Sequence, residues 1–538
     1  MSNIPKHPCD EEMIRSTKAE APCARRAGPW VLAATVLGSS MAFIDETAVP
    51  VALPAVQGSL GATAVGAQWV VEAYTLFLAA LVLVGGSLGD HLGRRRVFAF
   101  GIVLFALASV WCGLAPTPGQ LIAARAVQGV GGALLVPNSL AIIGASFDEE
   151  RRGRAIGTWA GFTGLTMVLG PILGGYLAEN VSWRGVFFIN VPLAVAVLAI
   201  TALRVPESRN KGARGLDLPG AVLAAVGLGG TVFGLLESSR AGFGDPVVAG
   251  SLVAGVAALV AFVLVEGRVR EPMVPLSLFR LRNFAGANVF TLLLYFALAG
   301  TLYFLPFNLI QAQGYSATAA GAAVAPVVVI MFLLSGHTGG LADRFGPRLP
   351  LVMGSLVSAA GFVLFAVPGL GAPYWTTFFP AAVVVGVGLA ILVPALTTVA
   401  LGSVEVGHAG LASAINNSFS QIAGLLAVAV LGILMFASFG TSLDGRLSDL
   451  DLPPESRQRL EGEKLALGAA EAPENLDAGS RAAVERAIDE AFVSGYRVVM
   501  LAATAAALAS ALGAAFLIEA KEKPEEQSDD PEAKGLLA

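Results

Sequence analysis

Charge is what this sequence has least of. Only 14% of its 538 residues are Asp, Glu, Lys or Arg, against about 25% in an ordinary soluble domain. With 55% apolar residues, 63 glycines and a mean hydropathy of +0.72, one water-soluble core of this size would lack polar cover. The same figures exclude a disordered chain. Cysteine is scarce too. Cys9, Cys23 and Cys112 are too few for a disulfide framework and have no His or Cys at metal-ligand spacing. The four histidines (His7, His91, His337 and His408) are scattered, so neither a catalytic constellation nor a metal site is expected. A net charge of −5 with no basic domain argues against nucleic acid as a partner. No Gly-x-x-x-x-Gly-Lys-Ser/Thr loop occurs, so no nucleotide or other cofactor is expected, and work done by the protein would draw on an ion gradient.

What the chain has instead is long apolar runs. A membrane helix needs about 20 mainly apolar residues. Fourteen runs qualify: 30–55, 67–88, 97–115, 119–145, 155–179, 185–203, 218–236, 246–266, 284–312, 317–341, 349–369, 374–401, 408–438 and 495–519. The first 28 residues are polar and basic, and the first run is too long for a signal-peptide core, so no cleaved leader is expected. With the N-terminus inside, the cytoplasmic segments carry 24 Lys and Arg, while the short outer loops carry only Arg184 and Arg240. That asymmetry predicts both termini cytoplasmic in a multi-pass protein of the cell (cytoplasmic or inner) membrane. The outer 439–494 loop holds 12 acidic and 6 basic residues. Its end has apolar positions 484, 487, 488, 491 and 492, the pattern of an amphipathic helix capped by Ser480 and laid over the outer face of the bundle or the lipid.

The chain repeats itself. Gly86-Ser-Leu-Gly-Asp90-His-Leu-Gly93-Arg-Arg95 returns as Gly339-Gly-Leu-Ala-Asp343-Arg-Phe-Gly346-Pro-Arg348, with five of ten positions identical. Gly129-Val-Gly-Gly-Ala133-Leu-Leu-Val-Pro137 returns as Gly386-Val-Gly-Leu-Ala390-Ile-Leu-Val-Pro394. The two offsets, 253 and 257, agree closely. The fold expected is therefore an all-α polytopic membrane protein of 14 transmembrane helices, arranged as two six-helix bundles in a 6+2+6 plan. Its segments are an N-terminal tail (1–28), a first bundle (29–204), a two-helix insert with its loops (205–283), a second bundle (284–519) and a C-terminal tail (520–538). Parallel six-helix repeats are a layout of secondary transporters, with the substrate path between the halves. Spans seven and eight, nearly uncharged, read as lipid-facing packing.

A charge at the centre of a membrane helix costs at least about 2.5–3.5 kcal/mol, so each one calls for a reason. Asp45, Glu46, Glu72 and Arg125 are the strongest cases. Helical rise places Glu72 and Arg125 about 8–9 Å below the outer ends of their spans and Asp45 about 15–20 Å in from its inner end. All four then fit one layer, where an Arg and two or three carboxylates hold an exchangeable proton. Asp45 is the expected carrier, Glu72 the second choice and Arg125 the group that tunes or displaces the proton. Glu46 faces about 100° away. A structural ion-pair network without titration explains the same residues. Against it, Arg125 aligns with Ala382 in the repeat, so the second half has dropped this charge. Asp90, Gly93 and Arg94 read as a conformational latch, a carboxylate at a helix end beside a tight turn, with Asp343 and Arg348 as its weaker copy. Gly170, Pro171, Gly174 and Gly175 permit close helix approach and a kink. Polar groups for a substrate cavity are Asn288, Tyr295, Tyr303, Asn308 and Gln311 in span nine, with Asn416, Asn417 and Gln421 in span thirteen. Contacts between helices account for such amides equally well.

Taken together these stretches resemble the major facilitator superfamily, and within it the fourteen-helix drug:proton antiporter family. The first-span run Asp45-Glu46-Thr47…Ala52-Leu53-Pro54, the loop Gly86 to Arg96, and Arg125, Gln128, Gly129, Gly132 and Pro137 in the fourth span carry the resemblance. So do Gly170-Pro171-Ile-Leu-Gly174-Gly175 and Trp183-Arg184…Phe187-Phe188-Ile189-Asn190-Val191-Pro192. The pattern departs at Pro50, Thr166 and Gly185. The resemblance implies a transport protein, not an enzyme. Its expected activity is proton-coupled export of amphiphilic or hydrophobic small molecules by alternating access, with the fourth-span motif tied to proton coupling and the fifth-span motif marking an antiporter. Expected partners are the small-molecule substrate, protons and the lipid bilayer. A periplasmic or outer-membrane efflux partner is left open. The competing expectations are a dedicated exporter of one native metabolite or lipid, a proton symporter, and a transporter-like sensor without flux.

Overall fold

The structure, a computed structural model, describes residues 22–147, 149–209, 217–269, 272–404, 409–464, 467, 470, 472–473 and 475–520. Among these the chain is helical, with no strand. Fourteen of its helices are long and apolar enough to cross a membrane. They are α1 (Gly28–Leu60), α2 (Ala64–Leu92), α3 (Arg94–Leu114), α4 (Pro118–Ser146), α5 (Arg151–Asn180), α6 (Gly185–Arg204), α7 (Leu218–Ala241) and α8 (Pro246–Glu266), followed by α9 (Arg282–Ala312), α10 (Ala317–Thr338), α11 (Arg348–Ala366), α12 (Phe378–Ala400), α13 (Leu411–Ser448) and α14 (Ala478–Leu517). The starts are set by short polar side chains that take up the free amides of the first turn. Thr63 accepts from Gly66, Thr117 from Gln120, Asp217 from Gly220, Asp245 from Val247 and Val248, and Ser316 from Ala319. Pro118, Pro246 and Leu218-Pro219 exploit the first-turn positions where a missing amide costs nothing. Large apolar side chains such as Phe100, Leu107, Leu114 and Val253 are exposed, the surface a bilayer covers.

The helices pack as two groups, α1–α6 and α9–α14. One core, with Phe98, Ile102, Phe105 and Leu135, lies inside the first group. A larger one crosses between the groups, joining Leu53 and Val56 of α1 to Leu309 and Ala312 of α9 and Ala320 and Val324 of α10. These are residues near one face, termed the far face, where α1 ends. The opposite, terminal face holds the start of α1 and the end of α14. The bonds between groups also lie toward the far face. Gln311 donates to Gln57 (3.3 Å), Gln68 to the Val428 carbonyl (3.4 Å), and Thr318 to Glu179 through both its amide (3.0 Å) and its hydroxyl (2.6 Å).

Toward the terminal face the groups part. The side of α5 that meets α10 at Pro171 and Gly175 continues, by helical periodicity, through Gly164, Gly161, Gly157 and Gly153. A Cβ at any of these four would touch nothing, whereas at Gly175 it would fall 2.2 Å from the Ala317 carbonyl oxygen. The terminal end of α5 and much of the terminal half of α10 are exposed.

Two expectations need correction. Span seven is not simply lipid-facing, since Leu228, Val232 and Leu236 of α7 pack into a cluster with Leu76 and Ala79 of α2 and Leu425 and Ala429 of α13; α8 then lies against α7. The stretch 439–494 is not a loop over the surface. α13 runs on to Ser448, a helix Pro454–Glu463 follows, and α14 begins at Ala478. Val484, Ala487, Ile488, Ala491 and Phe492 are buried as their period predicts, but against upright helices that include Leu443 and Leu447. The cap is Asp477, accepting from Gly479 and Ser480, rather than Ser480. These exposed bonds hold the Asp477 carboxyl below its ordinary range.

Candidate functional site

The membrane interior of the first group encloses a charged pair. Asp45 and Arg125 are both fully buried, at 0% and 1% exposure, and the Arg125 guanidinium donates directly to the Asp45 carboxylate. Each has further partners. Arg125 donates to the Val70 carbonyl (2.8 Å) and to Gln128 Oε1 (2.8 Å), and its guanidinium lies 4.4 Å from the Tyr74 ring centroid. The Gln128 amide donates to the other Asp45 oxygen (2.8 Å) and to the Ser109 hydroxyl (3.0 Å), and Asn190 reaches the same two acceptors at 3.3 Å. Five helices thus converge on one carboxylate–guanidinium pair. A buried pair is tolerable only when its remaining donors and acceptors are met in this way. Gln128 sits one turn from Arg125, a spacing visible in the sequence. Ser109 and Asn190 carry no comparable signal as members of this site.

Glu72 lies at the depth expected, two residues from Val70, but does not join the pair. It is buried (1% exposed), yet its Oε2 has no hydrogen-bond partner, and it lies one turn from Gln68, which reaches the Val428 carbonyl of α13 across the divide between the groups. The reason is azimuth. Val70, which meets Arg125, and Glu72 are two residues apart and therefore about 200° apart round α2. Glu46 also turns from the pair, as its 100° offset requires, and its carboxylate hydrogen-bonds the Gln421 side chain of α13.

The expected cavity residues divide three ways. Asn416 donates to Asn288 (3.3 Å) and Thr291 (2.8 Å), tying α13 to α9. Gln311 joins the far-face seam, and Asn308 is buried there. Tyr295 is half-buried, Asn417 exposed and Tyr303 buried, while Gln421 hydrogen-bonds the Glu46 carboxylate of the first group.

On the terminal face, Arg94 donates to Asp90 through Nε (2.9 Å) and Nη2 (2.7 Å) and to the Ala141 carbonyl (3.2 Å). Gly93 links α2 to α3 at φ +108°, and a Cβ there would come 2.8 Å from the Glu207 carboxyl carbon. Glu207, unmarked in the sequence reading, accepts from the Arg95 amide (3.1 Å) at the start of α3 and lies 3.6 Å from Arg96. Burial pushes its carboxyl above the ordinary range despite these partners. Gly346, at φ +75°, repeats the turn in the second group; Arg348 is exposed, and the Asp343 side chain lies outside the described residues.

The Gly170–Gly175 motif fixes α5 between neighbours on adjoining sides. A Cβ at Gly170 would meet Thr47, at Gly174 the Ala48 backbone, both on α1, while Gly175 faces α10. In return Gly321 of α10 sits against the Pro171 carbonyl oxygen, 2.0 Å from where its Cβ would be.

Fourteen membrane-length helices, twelve of them in two repeated groups joined near one face and parted near the other, define a polytopic membrane carrier. The chain belongs to the Major Facilitator Superfamily, whose sequence profile matches residues 35–428. It is 32% identical to a tetracenomycin C resistance and export protein of Streptomyces glaucescens over 514 residues, covering 94% of each chain. It is 38% identical to a puromycin resistance protein of Streptomyces alboniger, covering 78% of this chain and 83% of that one. To the multidrug resistance protein Stp of Mycobacterium tuberculosis it is 32% identical, covering 88% and 89%. Among solved structures, a bacterial homologue of the human lysosomal transporter Spinster, inward-facing and unoccupied, superposes with a TM-score of 0.62 at 18% identity, covering 90% of this chain and 97% of that one.

Proposed function

We propose that the protein is a proton-driven exporter of amphiphilic or hydrophobic small molecules, drugs included, working by alternating access in the cytoplasmic membrane with both termini inside. The observation that carries this reading is the wholly buried Asp45–Arg125 pair in one half, set beside a second buried carboxyl, Glu72, that has an unmet oxygen and faces the other half. Residues 29–204 and 284–519 are the moving units, with 205–283 as an insert. Substrate enters between them from the terminal, cytoplasmic face. Binding near Glu46, Glu72, Tyr303 and Gln421 favours closure of that face, and the far face opens. A proton arriving from outside neutralises Asp45, Arg125 turns to its remaining acceptors, and the emptied carrier returns. Each proton moving inward contributes about 2.3 kcal/mol per 100 mV. The Asp90–Arg94 pair and Glu207 hold the terminal-face turn and act as the latch between states. The names of the relatives support the export of antibiotics. Two are named for single compounds, which favours a narrow substrate range as the second reading.

The test uses inverted membrane vesicles holding an imposed proton gradient. Added substrate dissipates the gradient in wild type and not in Asp45→Asn. Equal dissipation in Asp45→Asn assigns the proton to Glu72, and Glu72→Gln then abolishes the dissipation. No response to any of a broad set of amphiphiles defeats the drug-export reading.

A further inference from the structure

Away from the charged pair, a cavity of about 320 Å³ lies where the insert meets both halves. It is walled by Ala80 of α2, Ala224 of α7, Val263 of α8, Met273 and Phe279 of the linker between α8 and α9, and Ile422 of α13. The volume is at the lower end of the range for small-molecule sites. Its lining offers almost nothing to a polar ligand. The one hydroxyl, Ser418, is already spent on the Ala414 carbonyl of its own helix (3.0 Å).

The wall is held open by polar chemistry outside the cavity. The Met273 amide donates to Asp217 (3.5 Å) and the Val274 amide to Glu266 (3.0 Å), and Asp217 also caps α7 through Gly220 (2.8 Å). Glu266 is 2% exposed. The two carboxylates thus pin the linker to the ends of α7 and α8, so it bridges the cavity and does not fill it. The surroundings of the lining residue Val263 point to the bilayer. Val263 is 49% exposed, Leu264 beside it 52% and Val269 37%, so a hydrocarbon chain passes from the lipid into the cavity across apolar surface alone. At the terminal-face end, exposed Arg268 follows α8 and Arg280 follows the lining residue Phe279, cationic groups at headgroup level.

We propose that this cavity is a binding site for one acyl chain of a membrane lipid with an anionic headgroup. The chain occupies the apolar cavity, and Arg268 and Arg280 attract the head. The chemistry of the lining admits a hydrocarbon and gives a polar or hydrogen-bonding solute no partner. The site is distinct from the export path and does not depend on the export reading.

The experiment places the full-length protein in nanodiscs doped with a phosphatidylglycerol that carries a diazirine midway along one acyl chain. After irradiation, peptide mass spectrometry locates the labelled residues. Labelling is expected to concentrate on residues 79–83, 259–263 and 273–279, several-fold above lipid-facing stretches such as 100–107. It is expected to fall several-fold in Ala224→Trp and in Ile422→Trp, which fill the cavity from two different helices, while labelling elsewhere persists. Even labelling of all lipid-facing helices in wild type overturns the proposal, and that map alone decides if neither variant folds. Cavity labelling unchanged in a well-folded filled variant also overturns it. Displacement of the label by an amphiphilic cation such as ethidium reassigns the cavity away from lipid. Equal labelling by the matching phosphatidylcholine removes the anionic headgroup, and much weaker labelling supports it.

Discussion

The seam between α5 and α10 makes a quantitative prediction about which way the carrier faces. Gly175 and Gly321 meet the opposite helix so closely that a Cβ would stand 2.2 Å from the Ala317 carbonyl oxygen in one case and 2.0 Å from the Pro171 carbonyl oxygen in the other. Both obstacles are backbone, which cannot rotate aside. Overpacking of this kind costs about 1–3 kcal/mol. Because the strain exists only while the far face is closed, it acts on the balance between the two states and shifts it about 5- to 150-fold toward the far-open form. Gly174 is the control. Its Cβ would strike the Ala48 backbone, 2.6 Å from the carbonyl oxygen, but both residues belong to the same half, so Gly174→Ala lowers stability without choosing between states. The assay is a spin–spin distance measurement between labels at Ser59 and Ala319, exposed on the far face of either half, in a background lacking the native cysteines. Gly175→Ala and Gly321→Ala should each populate a longer distance, and Gly174→Ala should not. If all three leave the distribution where wild type has it while folding normally, the seam does not govern closure and the argument fails.

Three further predictions concern charge and turns. Replacing Arg125 alone by Met leaves Asp45 buried without its partner and should cost about 3–5 kcal/mol, whereas Asp45→Leu with Arg125→Met together should recover most of it; thermal unfolding in detergent reads both. Gly93→Ala forces a side chain onto a backbone at φ +108° and into the Glu207 carboxyl, and should lower the unfolding temperature more than Gly144→Ala, where a Cβ meets nothing. The depressed carboxyl of Asp477 makes the start of α14 pH-dependent. Its folded value lies below its unfolded one, so its contribution is present above the ordinary aspartate range and lost as pH falls through the depressed value. Protection of the Gly479 and Ser480 amides, taken relative to intrinsic exchange at each pH, should fall over that window and stay constant in Asp477→Asn.

Span count and repeat were readable from the sequence because membrane helices advertise themselves by length, and intramembrane charge, by its cost, singled out Asp45 and Arg125 without choosing which carboxylate the guanidinium would meet. The partners of Glu72 were not legible because helical rise fixes depth and says nothing of neighbours. Two residues along α2 turn a side chain from the Arg125 side at Val70 to the side that meets α13. Ser109 stayed hidden, and Asn190 was read only as part of a family motif, because small polar residues are ordinary in such helices and only packing shows them aimed at one carboxylate. Near Asp477 the polar composition of 439–494 looked like loop, yet the periodic leucines and valines of two extended helices close a small core there. Glu207 escaped notice as one acid among basic neighbours; its role depends on where the chain folds back against the start of α3.

Those two extended helices also have a mechanical consequence. At 40 residues, the helix Ala478–Leu517 is about 60 Å long, roughly twice the hydrocarbon thickness of a bilayer. About 30 Å of it is surplus to a single crossing, and its first half is braced by the extension of α13 through the contact between Arg446 and Glu490. A rigid rotation of the second half therefore sweeps this mast across the far face, by about 5 Å at its tip for every ten degrees over a lever of that length. The transport cycle is thus broadcast as motion beyond the far face, where a label on the Pro454–Glu463 helix could register each turnover.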